Sequence, residues 1–402
     1  MRFLWVVRSI PLLPDDGASI YSNGLIRALL KTGATGTLVG FGEMTPPPSV
    51  EGLRVRSIPS PSRNRIFSLA SSLQSDAFRL QSRELAGIVD EELAQSPDVV
   101  ITDYFAMGWL LPNIEIRRRA LPILPALVYI SHNHEPTVRR QVASDEENPL
   151  KRFLMRVDAE KGARLDQNLV RAADLITVNT EIDEQLYRED APSKKIVVLK
   201  PAYDGEIIPT RPITHDLPRR VVITGSFDWI AKLTSLTRFL EAAEVPFERA
   251  GIEIVVVGRG RAETIEHLRR KYPFATFTGR VDDVRPYLAD ARIGIMPDEV
   301  GGGFKHKYLY YIFAGIAVAT IRSQFIGIPV DPKQDVISAA TIENLVDAVV
   351  ACIDDVASLE GMRIRCWNAC AREFNWIDRG QHLRQAMDSV LTDRHSPPKV
   401  GG

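Results

Sequence analysis

The sequence alternates short apolar runs with longer helical patterns, and the alternation restarts after one interruption. Runs such as Val99–Asp103 and Val221–Thr224 are almost continuously apolar, which is typical of strands covered on both faces. Strands of this kind, separated by helices, pair in parallel through right-handed crossovers. Between residues 200 and 220 proline recurs and no apolar period holds, which indicates a linker. The sequence therefore predicts two doubly wound, Rossmann-like α/β domains, at residues 1–203 and 204–375.

The predicted elements follow this pattern along the chain. Strands are predicted at residues 2–7, 37–40, 99–103, 127–131, 175–179, 196–199, 220–225, 252–258, 276–278, 293–296 and 318–321. Helices are predicted at residues 20–31, 77–94, 150–172, 181–187, 233–243, 262–271, 284–289, from about 304, 341–354, 359–374, and from 376 to about 391. Ligands of doubly wound sheets bind at the carboxyl ends of the strands, so two such domains that face each other would bind their ligand in the cleft between them.

Composition and charge exclude some classes of protein. A net charge of −1 and a pI of about 6.7 give the whole chain no preference for nucleic acid or membranes. The first apolar run is too short to cross a membrane and is interrupted by Arg8, so we interpret it as a strand. Cys352, Cys366 and Cys370 are interpreted as reduced, buried thiols, which favours a cytoplasmic location.

The stretch PDEVGGGFKHK joins three glycines to two lysines at the end of a predicted strand. Gly301, Gly302 and Gly303 lead into a helix, whose first N–H groups and dipole favour a phosphate. Lys305 and Lys307, in the predicted first turn, would be unfavourable there without an anion to offset them. The stretch therefore predicts a diphosphate site, with a plain flexible loop as the alternative.

Two other strand ends in the second domain carry polar residues. Ser226 and Lys232 follow the strand at 220–225 and could reach a phosphate from the opposite side; a solvated surface lysine is the alternative. The run VVVGRG lacks the third glycine of the dinucleotide fingerprint. We therefore interpret Gly258 and Gly260, on either side of Arg259, as turn glycines with a nucleobase contact.

The first domain has polar residues at two predicted strand ends. His132, His134 and Glu135 follow the strand at 127–131, which suits ligand contact or proton transfer. The loop after the first strand adds Asp15, Asp16, Gly17 and Ser19. The structural alternatives are histidines that cap the following helix and carboxylates that serve as helix N-caps. No Asp-x-Asp occurs, so we expect no metal-bound diphosphate and assign no metal ligands.

In its motifs the chain resembles glycosyltransferases of the GT-B fold, in the GT4-like (glycosyl transferases group 1) branch. The similar segments are VYISHNHE, AADLITVNTEID, GSFDW, VVVGRG, FTGRVDDVRPYLADARIGIMP and GGGFKHKYLYYIFAGIAVAT. FNW followed by a final helix is similar to the segment that, in this family, crosses back onto the N-terminal domain. Residues 376–402 are therefore expected to form a crossover helix on the first domain, followed by a disordered tail.

The resemblance implies a nucleotide-diphosphate-sugar donor held mainly by the second domain and an acceptor on the first. By position it places Gly301, Gly302, Gly303 and Lys307 on the donor diphosphate, Ser226 and Lys232 on its opposite side, and the loop Asp15–Ser19, with Gly17, beside both diphosphate and acceptor. Lys305 is added to the diphosphate site from its position beside the glycines. The resemblance places Phe277, Thr278, Gly279 and Arg280 by the nucleobase and His132 by the transferred sugar. From the residues themselves, Arg259 and Tyr310 are added as nucleoside candidates, and Glu135 and Asp16 as catalytic candidates.

The chain departs from the family in its glutamates. Members commonly carry E-x7-E, but here Gly302 and Tyr310 occupy the two positions. Asp298 or Glu299 is hypothesised to supply a carboxylate from upstream instead. The resemblance favours retention of the anomeric configuration, with inversion by Asp16 or Glu135 as base as the alternative. The identities of the nucleotide and the sugar stay open.

The sequence thus predicts a cytoplasmic, metal-independent glycosyltransferase of the hexosyltransferase type that needs no cofactor and binds no nucleic acid. A nucleotide-sugar epimerase or hydrolase, or a catalytically silent homologue that binds a partner, are the alternatives. The predicted helix at Pro149–Ala173 has basic residues on much of its surface. It is interpreted either as an ordinary solvated helix or as a helix on the inner face of a membrane that serves a lipid-linked acceptor.

Overall fold

The chain divides into two compact units, which we describe separately. The first comprises Met1–Pro201 and Asn375–Gly402, and the second comprises Ala202–Phe374. The computed structural model describes residues 1–14, 16–42, 49–203, 205, 207, 212–228, 230–299 and 304–395. The unit limits lie close to the sequence-based domain limits at residues 203 and 375. The predicted linker at 200–220 falls partly, and the predicted tail at 396–402 entirely, outside the described residues.

Each unit is built on one parallel sheet. In the described part of the first unit, the strands are β1 (Arg2–Val7), β2 (Thr35–Phe41), β3 (Leu53–Ile58), β4 (Val99–Asp103), β5 (Ala126–Ile130), β6 (Leu175–Val178) and β7 (Lys195–Val198), in the order β3-β2-β1-β4-β5-β6-β7. In that of the second unit they are β8 (Arg220–Ser226), β9 (Glu253–Arg259), β10 (Ala275–Gly279), β11 (Ile293–Met296), β12 (Ala317–Ile321) and β13 (Ile337–Ala339), in the order β10-β9-β8-β11-β12-β13. The predicted doubly wound α/β class is confirmed.

Helices connect the strands. They are α1 (Gly17–Leu30), α2 (Ser75–Arg79), α3 (Arg83–Leu93), α4 (Leu111–Arg119), α5 (Glu135–Ser144), α6 (Pro149–Ala172), α7 (Glu181–Asp190), α8 (Ile230–Ala250), α9 (Ala262–Lys271), α10 (Arg285–Ala289), α11 (Lys307–Phe313), α12 (Ile342–Cys352), α13 (Val356–Cys370) and α14 (Trp376–His395). Short 3₁₀ segments lie at Arg65–Ala70, Phe105–Leu110 and Arg322–Gln324. Among the described residues, no helix combines the length and apolar character that crossing a membrane requires.

The last helix belongs to the first unit, as the family resemblance implied. Leu383 and Met387 of α14 are fully buried in the core that also contains Phe3 and Trp5 of β1. Close contact with α1 depends on small residues, because a Cβ on Gly380 would lie 2.3 Å from the carbonyl oxygen of Ala28. The chain therefore returns from the second unit to complete the core of the first.

The structure differs from the predicted elements in one helix that was wrong and in several elements that were missed. The single helix expected at 77–94 is two helices, because the Ser82 side chain caps α3 by accepting from the N–H of Leu85 at 3.2 Å. Strands β3 and β13 and helices α4 and α5 were not predicted. Strand β3 is an edge strand whose sequence, LRVRSI, alternates with arginine. It therefore lacks the continuous apolar run that marks the central strands.

Candidate active site

The order of the first sheet places a crevice at the carboxyl ends of β1 and β4. From β1 the chain moves to β2 and β3 on one side and then returns to β4 on the other, so these two strands flank the topological switch point. A cavity of about 40 Å³ lies there, lined by Val7, Arg8, Ser9, Asp16, Ala18, Ser19, Ser22, Asp103, Tyr104 and His132. The predicted residues His132 and Asp16 are therefore brought together.

The cavity contains an aspartate–histidine pair. Asp103, the last residue of β4, is fully buried, and its Oδ1 lies 2.6 Å from Nε2 of His132. The other carboxylate oxygen accepts from the indole N–H of Trp5 at 2.9 Å. A carboxylate only accepts, so it selects the tautomer in which Nε2 of His132 carries a proton. When the ring is neutral, Nδ1 is then its acceptor atom.

Asp16 is both a helix cap and an ion-pair partner. It accepts from the N–H of Ser19 at 2.7 Å, as the N-cap of α1, and pairs with Arg8 at 3.0 Å. Burial alone would raise the pKa of Asp16, but the Ser19 hydrogen bond and the Arg8 charge outweigh it and lower the pKa. Asp16 therefore does cap α1, as the structural alternative proposed. Its lowered pKa also makes its carboxylate a weak base. Asp15 lies outside the described residues, and Gly17 is the exposed first residue of α1.

Tyr104 carries a strained backbone at the edge of the cavity. Its φ is +80°, which is rare for a residue with a large side chain. The Arg8 guanidinium lies 4.7 Å from the centre of its ring. Such strain persists only where the surroundings hold it, often at functional sites.

Glu135 and His134 have structural partners instead. Glu135, the buried first residue of α5, accepts from Nε of Arg139 at 2.7 Å and does not line the described cavity. His134 occupies the N-cap position of α5, and its Nδ1 lies 2.8 Å from the Thr137 hydroxyl. His134 thus has structural partners, although its side chain makes no capping hydrogen bond, and Glu135 is already engaged by Arg139. The roles predicted for both residues stay predictions.

The second sheet has its switch point between β8 and β11. The chain leaves β8 for β9 and β10 and returns to β11 on the opposite side. The carboxyl end of β8 is tightly packed, since a Cβ on Gly258 would lie 1.7 Å from the carbonyl oxygen of Gly225. A Cβ on Gly225 would in turn lie 3.0 Å from Nζ of Lys307. The ammonium of Lys307 therefore lies beside the end of β8, at the switch point.

Three lysines and one aspartate cluster at this position. Asp298 follows β11, is 7% exposed, and lies 3.7 Å from Nζ of Lys305. Lys307 is the first residue of α11, and Lys232 lies in the first turn of α8. Lys305 precedes α11, so the prediction that it lies in the first helical turn is wrong. It also donates to Oε1 of Gln324 at 2.8 Å.

Burial and neighbouring positive charge lower the pKa values of two lysines in this cluster. Burial, followed by repulsion from Lys232, lowers the pKa of Lys307 to about 7, although Asp298 partly offsets this. Burial also lowers the pKa of Lys305, against the opposing effect of Asp298. Burial would raise the pKa of Asp298, but Lys307, Lys305 and Lys232 outweigh it and lower the pKa. Among the described residues, the Asp298 carboxylate lies with these three lysines, an arrangement that an anionic ligand would stabilise.

Ser226 and Arg259 end neighbouring strands at the same edge. Nε of Arg259 donates to the Ser226 hydroxyl at 3.2 Å, which places both residues at the carboxyl ends of β8 and β9. Asp228 lies 3.6 Å from the Arg259 guanidinium. The two predicted ligand residues are thus adjacent in the structure.

The other predicted nucleoside residues differ in their exposure to solvent. Phe277 packs its side chain in the core of the second unit, and its carbonyl accepts from Arg269. The Phe277 side chain is thus part of the core, and the predicted position of this residue by the nucleobase stays a prediction. Tyr310 packs edge-to-face against Tyr203, with ring centres 5.6 Å apart. Thr278 and Gly279 are partly exposed at the end of β10, and Arg280 is exposed.

The two proposed substitute carboxylates already have cationic partners. Glu299 forms an ion pair with Arg238, and Asp298 lies within the lysine cluster. Neither is a free replacement for the missing family glutamates. Gly301, Gly302 and Gly303, the predicted phosphate loop, lie outside the described residues.

Sequence reasoning missed Asp103, Arg8 and Tyr104. The pair between Asp103 and His132 joins two consecutive strand ends, and only the strand order puts these ends side by side. An aspartate as the last residue of an otherwise apolar strand was the available signal.

Comparison with known proteins gives a family match for part of the chain. Residues 218–355, about a third of the chain, match the family model for "Glycosyl transferases group 1". A sequence search of curated proteins gives no significant match. The matched segment contains the lysine cluster.

Solved structures of similar fold span nearly the whole chain. Anabaena HepE (Alr3699) in complex with UDP and glucose has a TM-score of 0.68 and 13% identity, over 97% of this chain and 100% of that one. The α,α-trehalose 6-phosphate synthase from Burkholderia multivorans has a TM-score of 0.63 and 13% identity, over 98% of this chain and 99% of that one. WaaG, a glycosyltransferase involved in lipopolysaccharide biosynthesis, has a TM-score of 0.64 and 13% identity, over 96% of this chain and 99% of that one. The chain therefore has the GT-B fold of these glycosyltransferases, with a group 1 match in its second unit.

Proposed function

We propose that this protein is a glycosyltransferase that moves a sugar from a nucleoside-diphosphate sugar to an acceptor hydroxyl. The observation that carries the proposal is the lysine cluster at the switch point of the second sheet. In the described part of the chain, Lys232, Lys305 and Lys307 lie with the carboxylate of Asp298, and burial lowers the pKa of both Lys305 and Lys307. This excess of buried positive charge suits a diphosphate, whose negative charge would offset it.

The comparisons support the same ligand class. HepE is solved with UDP and glucose, and with UDP-glucose. The segment of this chain that matches the group 1 model includes Lys232, Lys305 and Lys307. Ser226 and Arg259 would complete the polar edge around the nucleotide. We propose a hexosyl donor and a role in carbohydrate biosynthesis.

In the proposed reaction the lysines act on the leaving group. The bond from the anomeric carbon to the diphosphate oxygen breaks as the acceptor oxygen bonds to that carbon, and the acceptor proton leaves. Negative charge then accumulates on the diphosphate, where Lys305 and Lys307 would stabilise it. Charge neutralisation by lysine supports a metal-independent reaction, for which full activity in excess chelator is the test.

We propose that the anomeric configuration is retained. Inversion needs a base on the face opposite the leaving group. Asp16 is paired with Arg8 and its pKa is lowered, while Glu135 is paired with Arg139. These pairings argue against either carboxylate as that base. Of the described residues predicted to be catalytic, His132, oriented by Asp103, is the one left as a base for inversion. NMR of the product anomer distinguishes the two outcomes.

A ligand screen tests the proposed function. Purified protein would be titrated with nucleoside-diphosphate sugars by thermal shift and calorimetry, and then incubated with the tightest ligand in the absence of acceptor. Binding together with slow breakdown supports a transferase. Rapid, complete turnover without acceptor would instead support an epimerase or hydrolase. The absence of binding by every nucleotide sugar would support a silent, partner-binding homologue.

A further inference from the structure

Helix α6 extends past the sheet that it covers. It has 24 residues, so it is about 36 Å long, whereas β5 has five residues and is about 17 Å long. Because α6 ends at Ala172, just before β6, its excess length lies beyond the carboxyl edge of the sheet. Residues 149–158 contain no buried residue, and burial begins at Ala159. The first ten residues of α6 therefore project from the edge that carries the cavity.

The projecting part of α6 presents an exposed apolar face. The residues are Leu150 (69% exposed), Phe153 (62%), Leu154 (37%) and Val157 (38%). Their spacing of i, i+3, i+4 and i+7 puts them on one face of the helix. We call these four residues the apolar tip. Four large apolar side chains exposed in two turns indicate a surface that contacts an apolar partner.

The same face of α6 becomes basic after the tip. Lys161 and Arg164 lie four and seven residues after Val157, which continues the face towards the sheet. The ammonium of Lys161 donates to the carbonyl oxygens of Ser68 and Leu69 at 3.0 and 3.3 Å. Leu69 is itself 52% exposed, which adds apolar surface beside the basic residues.

Helix α6 has more basic than acidic residues, although the loop directly before it contains Asp145, Glu146 and Glu147. The helix has six lysines and arginines and three acidic residues. Of the acids, Asp166 is buried, and Asp158 accepts from Gln74 and Ser75. Glu160 pairs with Arg140 of α5. In the preceding loop, Glu146 pairs with Lys151.

We propose that the apolar tip inserts into the surface of an anionic lipid bilayer. An exposed apolar face that continues into basic residues matches acyl chains below anionic headgroups. Insertion would bring the carboxyl edge of the first sheet, with its cavity, to the membrane surface. Taken with the proposed function, on which this last step rests, the acceptor is a hydroxyl of a membrane lipid or of a lipid-linked sugar.

Vesicle flotation tests the proposal. The full chain would be mixed with vesicles of phosphatidylcholine, alone or with phosphatidylglycerol. We expect binding to the anionic vesicles, weakened by salt. The double variant Leu150→Ser/Phe153→Ser should bind about tenfold more weakly, because two large apolar side chains no longer insert. Arg164→Gln should reduce the preference for anionic vesicles.

A matched control distinguishes the tip from general exposed apolar surface. Ile116 and Ile123 are 70% and 69% exposed and lie before β5, at the opposite edge of the sheet. Ile116→Ser/Ile123→Ser should leave vesicle binding unchanged. Equal binding by the tip variant, equal loss in the control, or a concentration-dependent dimer that only the tip variant loses would overturn the proposal. Nucleotide-sugar binding, measured separately, reports on the proposed function, so the two can fail independently.

Discussion

Lys307→Met should stabilise the free protein while it weakens donor binding. Burial and Lys232 lower the pKa of Lys307 from 10.5 to about 7. Each pH unit of such a shift corresponds to about 1.4 kcal/mol, so at about pH 7.5 the lysine costs the folded state up to about 4 kcal/mol. Methionine fills similar space without the charge, so we expect a rise of a few kcal/mol in the free energy of unfolding.

The pH dependence of this cost has a definite sign. Between about pH 7 and 10.5 the unfolded chain holds a proton on Lys307 that the folded chain has lost. The free energy of unfolding contributed by this group therefore rises with pH across that window and is lowest below pH 7. Lys307→Met should flatten this part of the profile, whereas Lys333→Met, at an exposed lysine of the same unit, should not.

Donor binding should show the opposite dependence. A diphosphate raises the pKa of Lys307 on binding, so the free protein takes up a proton when it binds above about pH 7. The Kd for a nucleotide sugar should then rise up to about tenfold per pH unit in wild type and stay nearly constant in Lys307→Met.

Chemical denaturation and calorimetry in two buffers of different ionisation enthalpy measure both effects. A less stable Lys307→Met variant that binds donor like wild type would refute the reasoning.

Three further predictions follow from the same structure. Gly258→Ala should cost more than about 3 kcal/mol in unfolding free energy by chemical denaturation, since φ is +151° and the new Cβ would meet the Gly225 carbonyl at 1.7 Å; a change below about 1 kcal/mol would contradict this. Glu299→Ala should leave donor affinity nearly unchanged in calorimetry, because Glu299 pairs with Arg238, whereas Asp298→Ala should change it clearly. Asp103→Asn should lower kcat by about tenfold or more, with a smaller change in donor KM, since the amide keeps only one acceptor oxygen for the two donors, His132 and Trp5, and loses the negative charge that orients His132; wild-type kcat would exclude that role.

The strands could be predicted where burial on both faces leaves a continuous apolar run. Arg2–Val7, Val99–Asp103 and Ile293–Met296 have the same limits in sequence and structure. The edge strands β3 and β13 were missed, because one alternates with arginine and the other has only three residues. Local periodicity reports burial, and edge strands are the least buried.

The sequence indicated which residues lie near the candidate sites, but not which of them form hydrogen bonds or ion pairs with each other. Strand ends pointed to His132 and Lys307, since ligands of parallel sheets bind there. Which charges pair depends on strand order, so the contact of Asp103 with His132 was not visible. The pairing of Glu135 with Arg139 was visible in principle, because residues four apart on a helix are neighbours.

A structure of the protein with its tightest-binding nucleotide sugar tests the central claim most directly. The account predicts that diphosphate oxygens lie within ion-pairing distance of Nζ of Lys305 and Lys307, at the carboxyl ends of β8 and β11. A nucleotide sugar bound elsewhere, with the lysines still facing only Asp298, would contradict it.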